Sequence, residues 1–167
     1  MSTITIRTTT ESDWEALKEL RLASLLESPT AFGWNYADAA ASDEALWRDN
    51  AAGRTPRTYL LAFVGDKAVG LIGYGLSAAA ECNLIAMWVN PAFRGQDIAA
   101  GLVEAVKAGA GAQGHRRIVL TVSPENSRAV ALYEKQGFAF LPEWETLDSH
   151  PHIKVQKMEW RSGECTL

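Results

Sequence analysis

Three stretches of this chain combine residue types and spacings that can do chemistry. The first is Val89-Asn90-Pro91-Ala92-Phe93-Arg94-Gly95-Gln96-Asp97-Ile98-Ala99-Ala100, which runs from a strand through a tight turn into a helix. A helix N-terminus presents unpaired backbone N–H groups and about half a positive charge, and small residues let an anion approach that backbone closely. Arg94 adds a guanidinium fork suited to phosphate oxygens. The bland alternative is an ordinary strand–helix connection with an exposed arginine. The second stretch, Thr121 to Ala129, leads another strand into another helix, with Asn126 at the N-cap position. The third, Leu132 to Ala139, closes that helix and carries Tyr133, which by itself reads as an aromatic anchor in the helix–sheet core.

The elements that must position these residues follow from periodicity. The alternation in Thr3 to Arg7 predicts a short strand. Ser12 and Glu15 have the spacing of a capping box before a helix over 12–26, with Trp14, Leu17, Leu20, Leu22 and Leu25 along it. Ser28-Pro29-Thr30 ends that helix, and Ser42 stands as cap of a second one through Ala52. Residues 58–64, 68–76 and 84–89 read as an antiparallel meander, its middle strand loosened by three glycines. A helix over 98–110 shows Ala99, Leu102, Val103 and Val106 at helical spacing. Residues 117–122 form a nearly continuous apolar strand, as expected when both faces are covered. A helix over 127–136 closes at Gly137, and strands over 138–141 and 153–160 finish the chain. The order is β-α-α-β-β-β-α-β-α-β-β, an α/β chain with a mixed sheet and helices on both faces, read as one domain over 1–167.

The three chemical stretches together resemble the GNAT acetyltransferase superfamily, whose members transfer acetyl from acetyl-CoA to an amine. The family turn, Gln/Arg-x-x-Gly-x-Gly/Ala, reads here as Arg94-Gly95-Gln96-Asp97-Ile98-Ala99, with aspartate at the first glycine position; the later signature is met by Asn126, Ala129, Leu132-Tyr133 and Gly137-Phe138. The likeness is good over 58–141, and the order of elements matches throughout. It implies that the strands at 84–89 and 117–122 splay apart and hold acetyl-CoA between them. The pantetheine arm would pair with the backbone of Met87 and Val89, and the pyrophosphate would sit on N–H groups from Gly95 to Ala100. A backbone N–H near Met87 or Trp88 would polarise the thioester carbonyl. Tyr133 would serve the departing sulfur and Asn126 the pantetheine amides.

Two departures from the family stand out. Asp97 occupies a position where glycine is usual. Aimed at a pyrophosphate about 4 Å away, its carboxylate would be repelled by roughly 4 kcal/mol at an effective dielectric near 20, against about 0.3–2 kcal/mol returned by the helix end. Either Asp97 points away and leaves its N–H to the phosphate, or it caps its own helix and weakens the site. Asn83 stands where many members carry a strand glutamate, and it cannot accept a proton. Glu81, two residues earlier and on the same strand face, becomes the base candidate through a water that Asn83 positions; its bland role is a solvated hairpin charge.

The acceptor side would be built from 26–41, the 76–81 hairpin and a loop over 142–152, which hold Phe32, Trp34, Tyr36, Trp144 and His150. An aromatic, mildly acidic cleft suits a small primary amine such as an amino acid, polyamine or amine antibiotic; a peptide N-terminus is the alternative acceptor, and a non-catalytic CoA-binding module the alternative function. Cys82 lacks an obvious base partner, so direct attack is expected without a covalent enzyme intermediate.

The 16 Lys and Arg against 20 Asp and Glu give a net charge of −4, which argues against nucleic acid or an anionic membrane as partner. No apolar run approaches the roughly 20 residues that span a bilayer, and the first ten residues lack a signal-peptide pattern. The two cysteines make neither a disulfide framework nor a metal-ligand spacing, so a reducing cytoplasm and no metal are expected. The resemblance adds a homodimer through the C-terminal strands.

Overall fold

The computed structural model describes residues 3–27, 36–77, 80–95, 97–147 and 150–162. Its strands are β1 (Ile4–Thr8), β2 (Arg57–Val64), β3 (Lys67–Leu76), β4 (Cys82–Val89), β5 (Arg117–Val122), β6 (Ala139–Leu147) and β7 (His150–Arg161). Its helices are α1 (Trp14–Glu27), α2 (Tyr36–Ala41), α3 (Glu44–Ala52), α4 (Ile98–Ala112) and α5 (Ser127–Lys135). The strands form one mixed sheet in the order β1-β2-β3-β4-β5-β7-β6. Only the central β4–β5 pair is parallel.

Each face of the sheet carries its own core. On one side Leu17, Leu20 and Leu25 of α1 and Trp47 of α3 pack with Leu61, Leu71 and Trp88. On the other, Leu102, Val103 and Val106 of α4 and Tyr133 of α5 pack with Val69, Ile72, Leu84, Ile118 and Leu120. This two-sided burial is why β5 reads as an almost unbroken apolar run.

Several local expectations shift. The capping box lies two residues earlier than Ser12–Glu15: the Thr10 N–H donates to the Asp13 carboxylate at 2.7 Å. Asp43, not Ser42, caps α3, accepting from the Leu46 N–H at 3.0 Å. The alanine cluster at 37–41 forms the short helix α2, consistent with alanine's high helix propensity. The largest correction concerns 142–152, expected as a loop. These residues belong to the β6–β7 hairpin apart from 148–149, which lie outside the description. Pro142 is accommodated because β6 is the outermost strand and its pairing with β7 is irregular between Phe140 and Trp144.

The glycines of β3 are sites of close approach rather than of looseness. A Cβ at Gly73 would meet the Tyr59 ring at 2.9 Å, and one at Gly75 the Pro56 carbonyl oxygen at 2.6 Å.

Candidate active site

The site is organised by the parting of β4 from β5. The two strands share one register pair, Asn83 with Val119. Beyond it β4 runs on to Val89 with no further pairing to β5, so its backbone groups on that side are available to another extended chain. Glu81 and Asn83 stand at the closed end of this cleft, and the 90–97 turn follows the opposite end of β4.

A bulge lies in the middle of β4. Ala86 has φ 60°, and the β3 register passes from Gly73–Ile85 directly to Leu71–Trp88. Two residues of β4 therefore oppose one of β3, which changes the side-chain parity of the strand. Cys82 and Leu84 pack on the α4 side; past the bulge Met87 and Val89 do so, while Ala86 and Trp88 face α1 and α3. The bulge also interrupts the regular β3–β4 register at Ala86 and Met87.

At the end of β4, the Asn90 side chain accepts from the Ala92 N–H at 2.9 Å and starts the tight turn. Gly95 has φ 86° and Asp97 φ 61°, both left-handed. A Cβ at Gly95 would meet nothing within 4 Å, so space stands open beside it. The Asp97 side chain is exposed and makes no cap bond to α4. This excludes the alternative in which it caps its own helix. Among the described residues, the N–H groups of Ile98, Ala99 and Ala100 find no hydrogen-bond partner. A left-handed turn opening onto three orphan amides beside free space fits a phosphate group. Gln96 lies outside the described residues.

Arg94 is already engaged. Its Nε donates to the Val89 carbonyl at 3.0 Å and a terminal nitrogen to Glu27 Oε1 at 3.0 Å. The same Glu27 oxygen accepts from the Trp88 indole N–H at 2.9 Å. The guanidinium therefore secures the turn to β4 and to α1. Sequence reasoning missed Glu27, which lies more than sixty residues from both partners.

Tyr133 lies in the α4-side core with Phe138 edge-on at 5.8 Å. Its hydroxyl has no partner among the described residues. Burial raises its pKa well above the ordinary phenol value, so it stays protonated at physiological pH. Cys82 and Leu84 belong to the same packed cluster, with Met87 against it. Burial also raises the Cys82 thiol pKa, which argues against a thiolate nucleophile. Asn126 accepts from the Ala129 N–H at 3.4 Å and so caps α5.

Glu81 sits differently from its expected role. Its Oε2 accepts from Arg117 at 2.7 Å and its Oε1 from Lys157 at 2.9 Å. These two cations hold its carboxyl below the usual carboxylate range. With both oxygens occupied and basicity lowered, the geometry weighs against Glu81 as general base. Asn83 donates to the Glu81 carbonyl at 3.1 Å.

The expected acceptor residues are scattered. Tyr36 starts α2 and is exposed, Trp144 is exposed on β6, and His150 begins β7, its ring 5.9 Å from that of His152. Phe32 and Trp34 lie outside the described residues. No group of three or more His, Cys, Asp or Glu among the described residues gathers to hold a metal, and no helix there is long and apolar enough to cross a membrane.

The single β4–β5 register pair and the left-handed turn before α4 stand at opposite ends of β4. Residues 14–138 match the Acetyltransferase (GNAT) family. The spore coat polysaccharide biosynthesis protein SpsD of Bacillus subtilis is 32% identical over 130 residues, 75% of this chain and 44% of that protein. The chain thus spans less than half the length of that relative. Among solved structures, yncA of Salmonella typhimurium with its cofactor acetyl-CoA matches with a TM-score of 0.77 at 17% identity, over 99% of this chain and 98% of that one. A GNAT-family acetyltransferase from Streptococcus pneumoniae matches with a TM-score of 0.76 at 22% identity, over 96% of this chain and 100% of its own. These structures establish the shared fold. The chain belongs to the GNAT family.

Proposed function

We propose that this protein transfers acetyl from acetyl-CoA to the primary amine of a small molecule by direct attack. The observation that carries the reading is the pairing of β4 with β5 at Asn83–Val119 alone, with orphan amides of Ile98, Ala99 and Ala100 where α4 begins. In this reading the pantetheine arm adds to the unpaired edge of β4 at Met87 and Val89, as a short extra strand. The pyrophosphate takes the turn from Gly95 to Ala100, with Gln96 inside that segment and Asp97 contributing its N–H. Arg94 holds the turn in place and adds positive charge beside it.

The chemistry then needs few groups. A backbone N–H near Met87 or Trp88 donates to the thioester carbonyl and stabilises the negative charge that develops on its oxygen. The neutral amine attacks the carbonyl carbon, the C–S bond breaks, and Tyr133 gives its proton to the departing sulfur. The attacking nitrogen releases its extra proton to solvent, and Tyr133 takes one back from solvent, which restores its phenol for the next turnover. Asn126 orients the arm while capping α5. The acceptor side is read from the sequence segments that hold Phe32, Trp34, Tyr36, Trp144 and His150.

The SpsD relative favours a second acceptor, an amine carried on a sugar, because that protein's name places it in polysaccharide biosynthesis. A panel of amino acids, polyamines, amine antibiotics and amino sugars, read by free thiol release from acetyl-CoA, tests both. Turnover with a small non-sugar amine supports the first reading; turnover confined to amino sugars supports the second. No turnover with any member, while acetyl-CoA still binds, overturns both. The same reading includes a cytoplasmic homodimer joined through the β6 edge, which sedimentation equilibrium tests as to assembly.

A further inference from the structure

The closed end of the β4–β5 cleft is held by very little backbone. One register pair joins the two strands, yet their divergence sets where the β4 bulge lies relative to the far wall. Side chains take over at this point. Glu81, immediately before β4, reaches Arg117 on β5 at 2.7 Å and Lys157 on β7 at 2.9 Å. Arg117 also donates to Glu159 on β7, and Glu159 accepts from Arg161 at 3.1 Å. Lys157 lies 3.4 Å from Glu143 on β6. The connected charges thus run from the root of β4 across β5 and β7 to β6.

The register explains why the network is needed. Arg117 lies directly opposite Arg161, a like-charge pair that repels. Val119, opposite Glu159, is the residue paired with Asn83. Lys157 lies opposite Thr121, one step further along the same face of β5. Glu81 therefore straddles the one paired position of the seam, holding a cation on either side of it. The side chains of Glu81, Arg117, Lys157 and Glu159 are 24%, 32%, 12% and 17% exposed, so they are partly shielded from solvent.

We infer that Glu81 is a positioning residue: with Arg117 and Lys157 it clamps the closed end of the cleft and fixes the angle at which β4 and β5 diverge. The inference rests on the reading of this cleft as the acetyl-CoA site. It assigns Glu81 no proton transfer. Loosening the clamp lets the strand edge that receives the pantetheine arm move relative to the phosphate turn, so the coenzyme must restore the geometry when it binds.

The test is a double-mutant cycle on acetyl-CoA affinity, measured by titration calorimetry with Glu81→Gln, Arg117→Gln and the combined variant. Each single change is expected to weaken binding by about 2- to 30-fold, and the pair by little more than the larger single effect. Arg117→Lys, which keeps the charge, should recover most of the affinity. Thermal unfolding checks that each variant is folded; if Glu81→Gln does not fold, Lys157→Gln with Arg117→Gln reads the same cycle. Wild-type affinity in Glu81→Gln, or fully additive losses, would overturn the clamp. Failure of the unmodified protein to bind acetyl-CoA would instead sink the cleft reading, a separate result.

Discussion

Asp97 shows how a residue can satisfy a backbone requirement while adding a charge that the site does not want. Its φ of 61° lies where glycine is at ease and where aspartate is among the better-tolerated alternatives. Asp97→Gly should therefore remove both the backbone cost, about 1 kcal/mol, and a carboxylate beside the phosphate site. We expect tighter acetyl-CoA binding by calorimetry and a Tm higher by roughly 2–4 °C; an unchanged or weaker affinity would show the carboxylate to be harmless. Tyr133 offers a different test. Its phenol is buried and protonated, with no competing partner among the described residues. Tyr133→Phe should lower kcat by about 10²–10⁴-fold while leaving the Kd for acetyl-CoA nearly unchanged. Equal turnover across the pH range would remove its acid role.

At the scale of elements, the β2–β3–β4 meander depends on close approach. Gly75 lies where a side chain would strike the Pro56 carbonyl at 2.6 Å, a backbone atom that cannot swing aside. Gly75→Ala should destabilise the protein by about 1–3 kcal/mol, seen as a lower urea midpoint at constant slope. A midpoint equal to wild type would mean that the β2 end gives way freely. The glycine spacing was legible in the sequence, but its meaning was not, because the partners come from a neighbouring strand and its approach. The same holds for β6. Residues 142–152 read as a loop in sequence, and the position of β6 at the outer edge makes a strand compatible with Pro142.

Across the whole molecule, ion pairs tie distant parts of the chain together. Arg94 with Glu27 and the Glu81–Arg117–Glu159 chain are two such ties, Arg7 pairs locally with Asp13, and the carboxyls of Asp13, Glu81 and Glu159 are held below their ordinary range by hydrogen bonds from cations. Depressed folded values mean that the unfolded state takes up protons first as pH falls. The stability these groups contribute is fully present above about pH 4–4.5 and is lost as pH falls through their folded values. Tyr133 acts at the other limit. Its raised value means that the unfolded chain releases that proton near pH 10 while the fold retains it, so stability falls as pH rises further. We expect Tm to be flat between about pH 5 and 9 and to drop outside that window. A Tm that holds steady down to pH 3 would show that these pairs contribute little.

The sequence alone determined the order of strands and helices apart from the short helix α2 and the full extent of β6 and β7, the mixed sheet, the turn after β4 and the residues that resemble an acetyl-CoA site. Those features are local: periodicity sets the elements, and Arg94 to Ala99 or Asn126 to Phe138 lie within a few turns of one another. Tertiary structure decided what needed distant partners. It gave Glu81 two cations, Arg94 the Glu27 carboxylate, and Ala86 a left-handed backbone that alanine does not announce. Each depends on strands and helices far apart in the chain being brought into register, and pairing across such separations leaves no mark on the spacing of neighbouring residues.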